Sequence, residues 1–447
     1  MQFSLFQVLI CSLLMVFSLC AQAQQDDQED TTAKYQLTYN WQRHPSFSTS
    51  QPDGPNSLSS DADKMYTFSA TAHWGMRPWQ GGEFYFDPEV VSGVPFTGAL
   101  VGLGGFTNGE ITRAAGSKPS FYRQRLFLRQ TWGYGGGEEK IESDFNQLAG
   151  TVDKNRFVLT VGNFSTLDVF DDNAYAKDPR TQFMNWGNWT YASYDYAADA
   201  RGYGWGFAGE WYQDNWALRF GRMTAPVTPN VEAVDLALAQ HFGDQVELER
   251  SHMLGDQPGK VRVIFWHDRA IMASFSDATK YLIAHGNQVQ TGPDALIAVR
   301  SGNKDKTGIG INIEQAVNQD VGFFLRAMST DGHTETLAFT EADGSLSTGF
   351  LVKGSAWGRG EDTAGVAYMR DILSADRIRF LQNGGVSFFI GDGYLNYAPE
   401  KVLESFYSYA LMRNTWVTLD YQYIQNPAYN ASRGPVNVYA VRLHIEY

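Results

Sequence analysis

The most constraining feature of this sequence is the period of its apolar residues. Tyr439, Val441, Leu443, Ile445 and Tyr447 share one face of an extended segment, while Ala440, Arg442, His444 and Glu446 share the other. The same split sets Val417, Leu419, Tyr421 and Tyr423 against Thr418, Asp420 and Gln422. It recurs in Val261, Val263 and Phe265 against Arg262, in Trp216, Leu218 and Phe220 against Arg219, and in Ile309, Ile311 and Ile313 against Asn312 and Glu314. A repeat of two is the signature of strands. After Ala23 there is no uninterrupted apolar run of about 18 residues, so no transmembrane helix is expected. If such a chain enters a membrane it must close into a barrel, because an open sheet edge leaves backbone donors unpaired in lipid.

Alternation alone fits a soluble sandwich equally well. Three features favour the membrane. Aromatic residues sit near the ends of the apolar faces (Tyr447 and Tyr439, Tyr421 and Tyr423, Trp205 and Trp211, Trp216), as interfacial girdles require. The final strand closes on an aromatic residue, a pattern that resembles an outer-membrane assembly signal. Membrane strands need about 9–11 residues each, and sixteen of them leave ample chain for long loops on one side and short turns on the other. The expected fold is therefore all-β: a transmembrane antiparallel β-barrel of 16 strands, with 18 as the alternative. Helices are expected only over 231–241 and 276–285. Gly, Pro, Asn and Asp enrichment places long connections at 45–63, 91–119, 166–200, 222–243 and 277–306. No repeat of 20–50 residues and no linker divides the chain.

Residues 1–23 read as a signal peptide, with an apolar run from Phe3 to Leu19 and a small-x-small site at Ala21-Gln22-Ala23. A lipoprotein reading of Cys20 is disfavoured by the bulk of Leu19. Residues 24–33 read as a polar leader and 34–447 as one barrel domain. Both cysteines, Cys11 and Cys20, fall in the signal, so no disulfide or thiolate metal site is expected beyond it. The 44 glycines and the 14% aromatic content suit sheets and turns. A formal charge of −14 argues against nucleic acid or any polyanion as a partner and for cations or neutral polar solutes.

Catalytic motifs are missing: no nucleophile elbow, zinc-binding helix motif, P-loop or complete calcium loop occurs. Eight scattered histidines lack ligand spacing, so neither metal nor cofactor is expected. The informative polar residues are those that alternation turns inward. An Arg facing lipid at mid-depth costs about 2–4 kcal/mol, so Arg219, Arg262, Arg326 and Arg442 should face the lumen, as should Glu210, Glu314 and Asp420. Opposed donors and acceptors replace part of a sugar's hydration shell, and indole or phenol rings stack on the apolar face of a pyranose. The competing account is that these charges pair with one another and solvate a wide channel.

From about Asn108 onward the sequence resembles the OprB-type carbohydrate-selective outer-membrane porins. The resemblance rests on the run from Asn108 to Arg113, RLFLRQTWG from Arg125, DPRTQFMNW from Asp178, YDYAADARGYGWGFAGEW from Tyr194, GDQPGKVRV from Gly255 and GINIEQAV from Gly310. It continues through the long segment from Asp331, GDGYLNYAPEKVLESFYSY from Gly391 and the segment from Leu419. It implies a 16-stranded barrel, commonly trimeric, in the outer membrane of a Gram-negative bacterium, passing small sugars passively through a polar and aromatic eyelet. It implies no enzyme. The shared segments add Trp186, Asp199 and Arg201 to the lumen-facing candidates and support Glu210. A general or cation-leaning porin is the alternative, and an exported β-rich glycan-active enzyme or adhesin is the third reading.

Overall fold

The computed structural model describes residues 28–113, 116–286, 290–339 and 341–447. The expected signal peptide and residues 24–27 of the leader lie outside the described residues. Among the described residues there are eighteen strands: β1 (Thr31–His44), β2 (Asp63–Trp79), β3 (Gly82–Val94), β4 (Gly116–Gly133), β5 (Glu138–Ile141) and β6 (Gly150–Asp153). Then come β7 (Arg156–Phe164), β8 (Gly204–Gln213), β9 (Trp216–Thr224), β10 (Phe242–Leu254), β11 (Gln257–Ile271) and β12 (Asn303–Ala316). The last six are β13 (Val321–Thr330), β14 (Gly344–Lys353), β15 (Thr363–Ile372), β16 (Glu400–Met412), β17 (Thr415–Gln425) and β18 (Val436–Glu446).

Sixteen of these close a barrel in sequence order, each antiparallel to its neighbours, with β1 joined to β18 and β4 to β7. Closure is tight to the end of the chain: Tyr35 and Tyr447 exchange both backbone hydrogen bonds at 2.9 Å. The remaining pair, β5 and β6, forms a separate hairpin. Strand β1 starts at Thr31, inside the expected polar leader.

Alternation sorts the wall. Leu419 is 61% exposed on the outside while the adjacent Asp420 is 5% exposed within; Phe265 and Arg262 divide in the same way, at 50% and 0%. The outer band of Leu128, Val161, Phe207, Leu248, Val263, Ile309, Phe350, Val366 and Leu403 is apolar and exposed. Its turn-end margin carries Trp74, Trp132, Trp211, Trp216, Tyr409 and Tyr447, with Tyr35 stacked on Tyr447 at 5.3 Å. This is the surface that hydrocarbon and its interfaces require of a membrane barrel.

The connections are asymmetric, with two exceptions to the expected layout. Residues 134–155, at the turn end, hold the β5–β6 hairpin instead of a tight turn. Long loops at 331–343 and 373–399 escaped the composition signal. Helices are few: α1 (Trp186–Trp189), α2 (Phe275–Ala284), α3 (Asp294–Val299) and α4 (Ala375–Gln382). Helix α2 matches the expectation for 276–285, and Ser274 caps it at Asp277 N–H. The helix expected over 231–241 is absent. There, Val227 N–H donates to the Ala233 carbonyl and Asp235 N–H to that of Ala225, making a narrow hairpin. The Asp235 side chain takes Ala237 N–H at 2.8 Å and His241 Nδ1 at 2.6 Å, a local competition that diverts the backbone from helix. Leu236, 71% exposed, finds no core.

Candidate functional site

The loop between β7 and β8, residues 165–203, folds into the lumen and is mostly buried. Its entry is fixed by a capping box: Ser165 Oγ accepts Leu167 N–H, and the Asp168 carboxylate accepts Ser165 N–H at 2.9 Å. Inside, the loop is tied to the far wall by charge. Asp171 accepts Arg326 Nε at 2.8 Å, Asn312 Nδ2 at 2.6 Å and Thr190 Oγ1 at 2.9 Å. Arg442 donates to the carbonyls of Pro179 and Gln182, both at 2.8 Å. Glu404 accepts the N–H groups of Met184 and Asn185 at 2.6 and 3.1 Å and Asn188 Nδ2 at 2.6 Å. Lys306 meets Asp195 at 2.6 Å. A second inward segment, 95–113, joins the first where Trp186 N–H donates to the Phe106 carbonyl at 2.8 Å and Gly109 N–H to that of Met184 at 3.0 Å.

What remains open is a path along the opposite wall, β3–β4 and β7–β9. A cavity of about 480 Å³ is lined by Glu110, Gln124, Arg125, Arg180, Trp186, Trp189, Tyr196, Arg201, Tyr203 and Phe339, among others. A second, of about 1130 Å³, opens toward the turn end past Glu83, Arg129, Glu210, Tyr212 and Arg219. Five residues line both: Arg129, Gln147, Asp168, Asp172 and Lys177. They mark the neck, and its four charges balance.

The upper cavity has an ionic side and an aromatic side. Arg125 holds Asp168 bidentately, at 2.7 and 2.6 Å. Arg180 Nε donates to Glu110 at 2.9 Å and another guanidinium nitrogen to Glu89 at 2.6 Å. A β-bulge supplies part of this wall. Between Asp87 and Pro88 the register with β4 slips by one residue, so both Gln124 and Arg125 turn inward. Opposite, Trp186 and Trp189 meet edge to face at 4.9 Å, and Phe339 stacks on Trp186 at 5.1 Å and packs on Tyr196 at 4.9 Å. The indole Nε1 of Trp186 and of Trp189 make no hydrogen bond within the chain. Glycine at 109 allows this approach, since a Cβ there would collide with the Trp189 indole.

Loop electrostatics follow from these contacts. The Lys177 ammonium, 2.9 Å away, holds the Asp172 carboxyl well below its ordinary range. Burial raises Asp168, but the Arg125 guanidinium outweighs it and the net direction is down. Asp199 is pushed up to about 6 by burial, although the backbone N–H groups of Tyr203 and Arg201 favour its charged form.

The ten residues singled out from sequence fall into three groups. Trp186 and Arg201 line the upper cavity, and Glu210 and Arg219 line the lower one, 3.2 Å apart. Asp199 lines neither and braces the backbone beside Arg201. Arg262, Glu314, Arg326, Asp420 and Arg442 point inward but lie behind the infolded loop, so for these five inward-facing does not mean pore-lining. Arg262 bridges Glu249 at 2.6 Å and Glu314 at 3.1 Å, and Glu314 also accepts Ala174 N–H. Asp420 accepts Gln422 Nε2 at 3.1 Å. Sequence reasoning missed Glu110, Arg125, Arg129, Asp168, Arg180 and Trp189. For Arg125 and Arg129 the signal was available, because Phe127 between them is buried inside while Leu128 faces out.

A family model described as carbohydrate-selective porin, OprB family, matches residues 59–447, beginning well before Asn108. Among solved structures, the high-pH structure of OprB from Pseudomonas putida is similar over 94% of each chain, at TM-score 0.66 and 14% identity. The outer-membrane channel DcaP of Acinetobacter baumannii is similar over 93% of this chain and 97% of its own, at TM-score 0.51 and 8% identity. At such identities these likenesses speak for the fold alone. Comparison with curated sequences gives no significant match.

Proposed function

This chain belongs to the OprB family of carbohydrate-selective porins and is a Gram-negative outer-membrane channel for small polar solutes, and from that premise we propose how it selects them. The solutes are neutral monosaccharides or sugars of similar size, moving passively. The upper cavity carries this reading: about 480 Å³, within the range of small-molecule sites, with an Arg–Glu face opposite a tryptophan pair. Arg125, Arg180 and Glu110 offer charged donors and acceptors to hydroxyls, while the aromatic side formed by Trp186, Trp189, Tyr196 and Phe339 takes the apolar face of a pyranose. Binding of this kind at one constriction raises local solute concentration without trapping it. Arg201, Glu210 and Arg219 guide solute above and below the neck.

The charge-balanced neck supports neutral solutes over the cation-leaning alternative. Sugar-dependent swelling of proteoliposomes tests the proposal: monosaccharides should enter faster than trisaccharides, and equal rates for both would refute selection at this cavity. A reversal potential near zero in a salt gradient is expected; a strongly cation-selective value would favour the alternative. We also infer that the channel performs no catalysis and assembles as a homotrimer, the latter resting on family resemblance. A trimer-sized band before boiling, collapsing to monomer after it, is the expected result.

A further inference from the structure

The outer wall carries a second pattern that solute passage does not use. Among the described barrel strands, almost every carboxylate faces inward: Glu83, Asp87, Glu89, Glu210, Glu247, Glu249, Asp268, Glu314, Asp371, Glu400, Glu404 and Asp420 all lie inside. The outward carboxylates are Asp244 and Asp305, and both are engaged, Asp244 with Arg222 at 2.7 Å and Asp305 with His267 at 2.8 Å and Arg269 at 3.6 Å. Several outward cations stand in contrast. At the loop end, Arg43 of β1 lies directly opposite Lys64 of β2, and Arg370 of β15 directly opposite Lys401 of β16. None of these four has an ion-pair partner among the described residues, and Arg43, Lys64 and Arg370 are exposed.

Like charges facing each other across a strand pair are destabilising unless an anion sits between them. Their surroundings say where that anion would be. One step toward mid-membrane, Trp41 pairs with Tyr66, and Tyr39 stacks near Tyr66 at 6.2 Å; below Arg370 and Lys401, Tyr368 pairs with Leu403. Two residues along a strand is about 7 Å, so each cation pair stands just above an aromatic girdle, at headgroup depth. The two pairs share one arc of wall, from β2 through β1, β18, β17 and β16 to β15. Between them β18 and β17 present Tyr439, Asn437, Tyr423 and Gln425 outward. At the turn end, the strands of the same arc present Ala33, Tyr35, Trp74, Met76, Tyr409 and Leu411, and the cations there sit in turns: Arg359, already paired with Asp362 and lying 4.0 Å over the Tyr409 ring, and Arg413. The strands of a second copy of this chain offer no match, because among the described residues their outward carboxylates, Asp244 and Asp305, are already paired.

We propose that this arc is a docking surface for a phosphate-bearing lipid of the outer leaflet, with Arg43–Lys64 and Arg370–Lys401 as its two phosphate clamps. The folded barrel in neutral detergent should bind diphosphoryl lipid A in preference to its dephosphorylated form, read by native mass spectrometry. Each near-surface cation contributes enough that R43Q/K64Q, or R370Q/K401Q, should weaken binding about thirtyfold. R43K/K64R, which keeps the charge, should bind as wild type, and R222Q, on the paired arc, should change nothing. Millimolar inorganic phosphate should compete weakly; full displacement would identify a free-anion site and overturn the lipid assignment. Equal binding of both lipid forms would also overturn it, as would variants that lose only the trimer band, which would mark a contact between copies. Should a double variant fail to refold, salt titration of the wild type decides the matter, since binding that does not fall with ionic strength excludes the clamps. Sugar-dependent swelling should persist in every variant, so failure here is distinct from failure of the channel reading.

Discussion

Two halves of the lumen wall use the same residue types for different ends. On β12, β13 and β16–β18, inward Arg, Asn and Glu side chains are sealed against the infolded loop: Arg326 is 1% exposed and Arg442 is 0%. On β3–β4 and β7–β9, inward Arg and Glu side chains remain in the water path. Apart from the bulge that turns both Gln124 and Arg125 inward, the difference is not in the strands, which alternate on both walls. It lies in the path of one loop, which converts half of the inward charges into anchors and leaves the other half to meet solute. An anchor and a solute contact should therefore fail differently when removed.

The largest effect is expected from the anchors. Arg326→Ala strips the Asp171 carboxylate of its guanidinium in a buried setting, a loss of about 3–5 kcal/mol. The loop should detach, trisaccharides should enter proteoliposomes at rates approaching those of monosaccharides, and single-channel conductance should rise. Unchanged size exclusion would erase the distinction between the two walls.

A smaller and different change is expected on the open wall. Arg125→Ala removes a bidentate partner of Asp168 and a charged donor to solute, about 1.5–3 kcal/mol for hydrogen bonds to charged groups. Monosaccharide swelling rates should fall about tenfold, while the temperature at which the barrel loses its heat-modifiable gel form stays near that of wild type. Trp189→Phe is milder, since it keeps an aromatic ring and only trims the apolar side of the upper cavity. A two- to fivefold loss of sugar preference, about 0.5–1 kcal/mol, is expected in competition swelling assays.

The last prediction concerns pH. Asp199 has its carboxyl raised from 3.8 to about 6, so its contribution to loop stability is complete below pH 3.8 and lost as pH rises through 6. Loop anchorage should be weaker at pH 7.5 than at pH 4.5, by on the order of 1–3 kcal/mol. Protease nicking of the loop in folded barrels should report it, and Asp199→Asn should flatten the profile. A wild-type profile as flat as the variant's would remove Asp199 from loop stability.

Much of the wall was legible in the sequence because the signal is local. Extended backbone turns successive side chains to opposite faces, so Arg219, Arg262, Arg326 and Arg442 could be placed inward from their immediate neighbours. Loop helices α3 and α4 were not foreseen, being short segments stabilised by packing on α2 and by the Ser374 cap. Composition misjudged 231–241, where Asp235 outcompeted helix formation. The bulge that turns both Gln124 and Arg125 inward depends on the register with β3, which Pro88 hints at but does not specify.

The sequence by itself determined the closed barrel, its 16-strand scale, its family and the sidedness of each strand, because all of these follow from short-range alternation, strand length and ordered segments. Tertiary structure alone decided which inward residues meet solute. The contacts that seal half of them join residues far apart in the chain, as in Arg442 with Pro179, 263 positions away. No local pattern encodes which wall a buried loop leans on, since the choice is made by charge pairing and volume across the whole lumen.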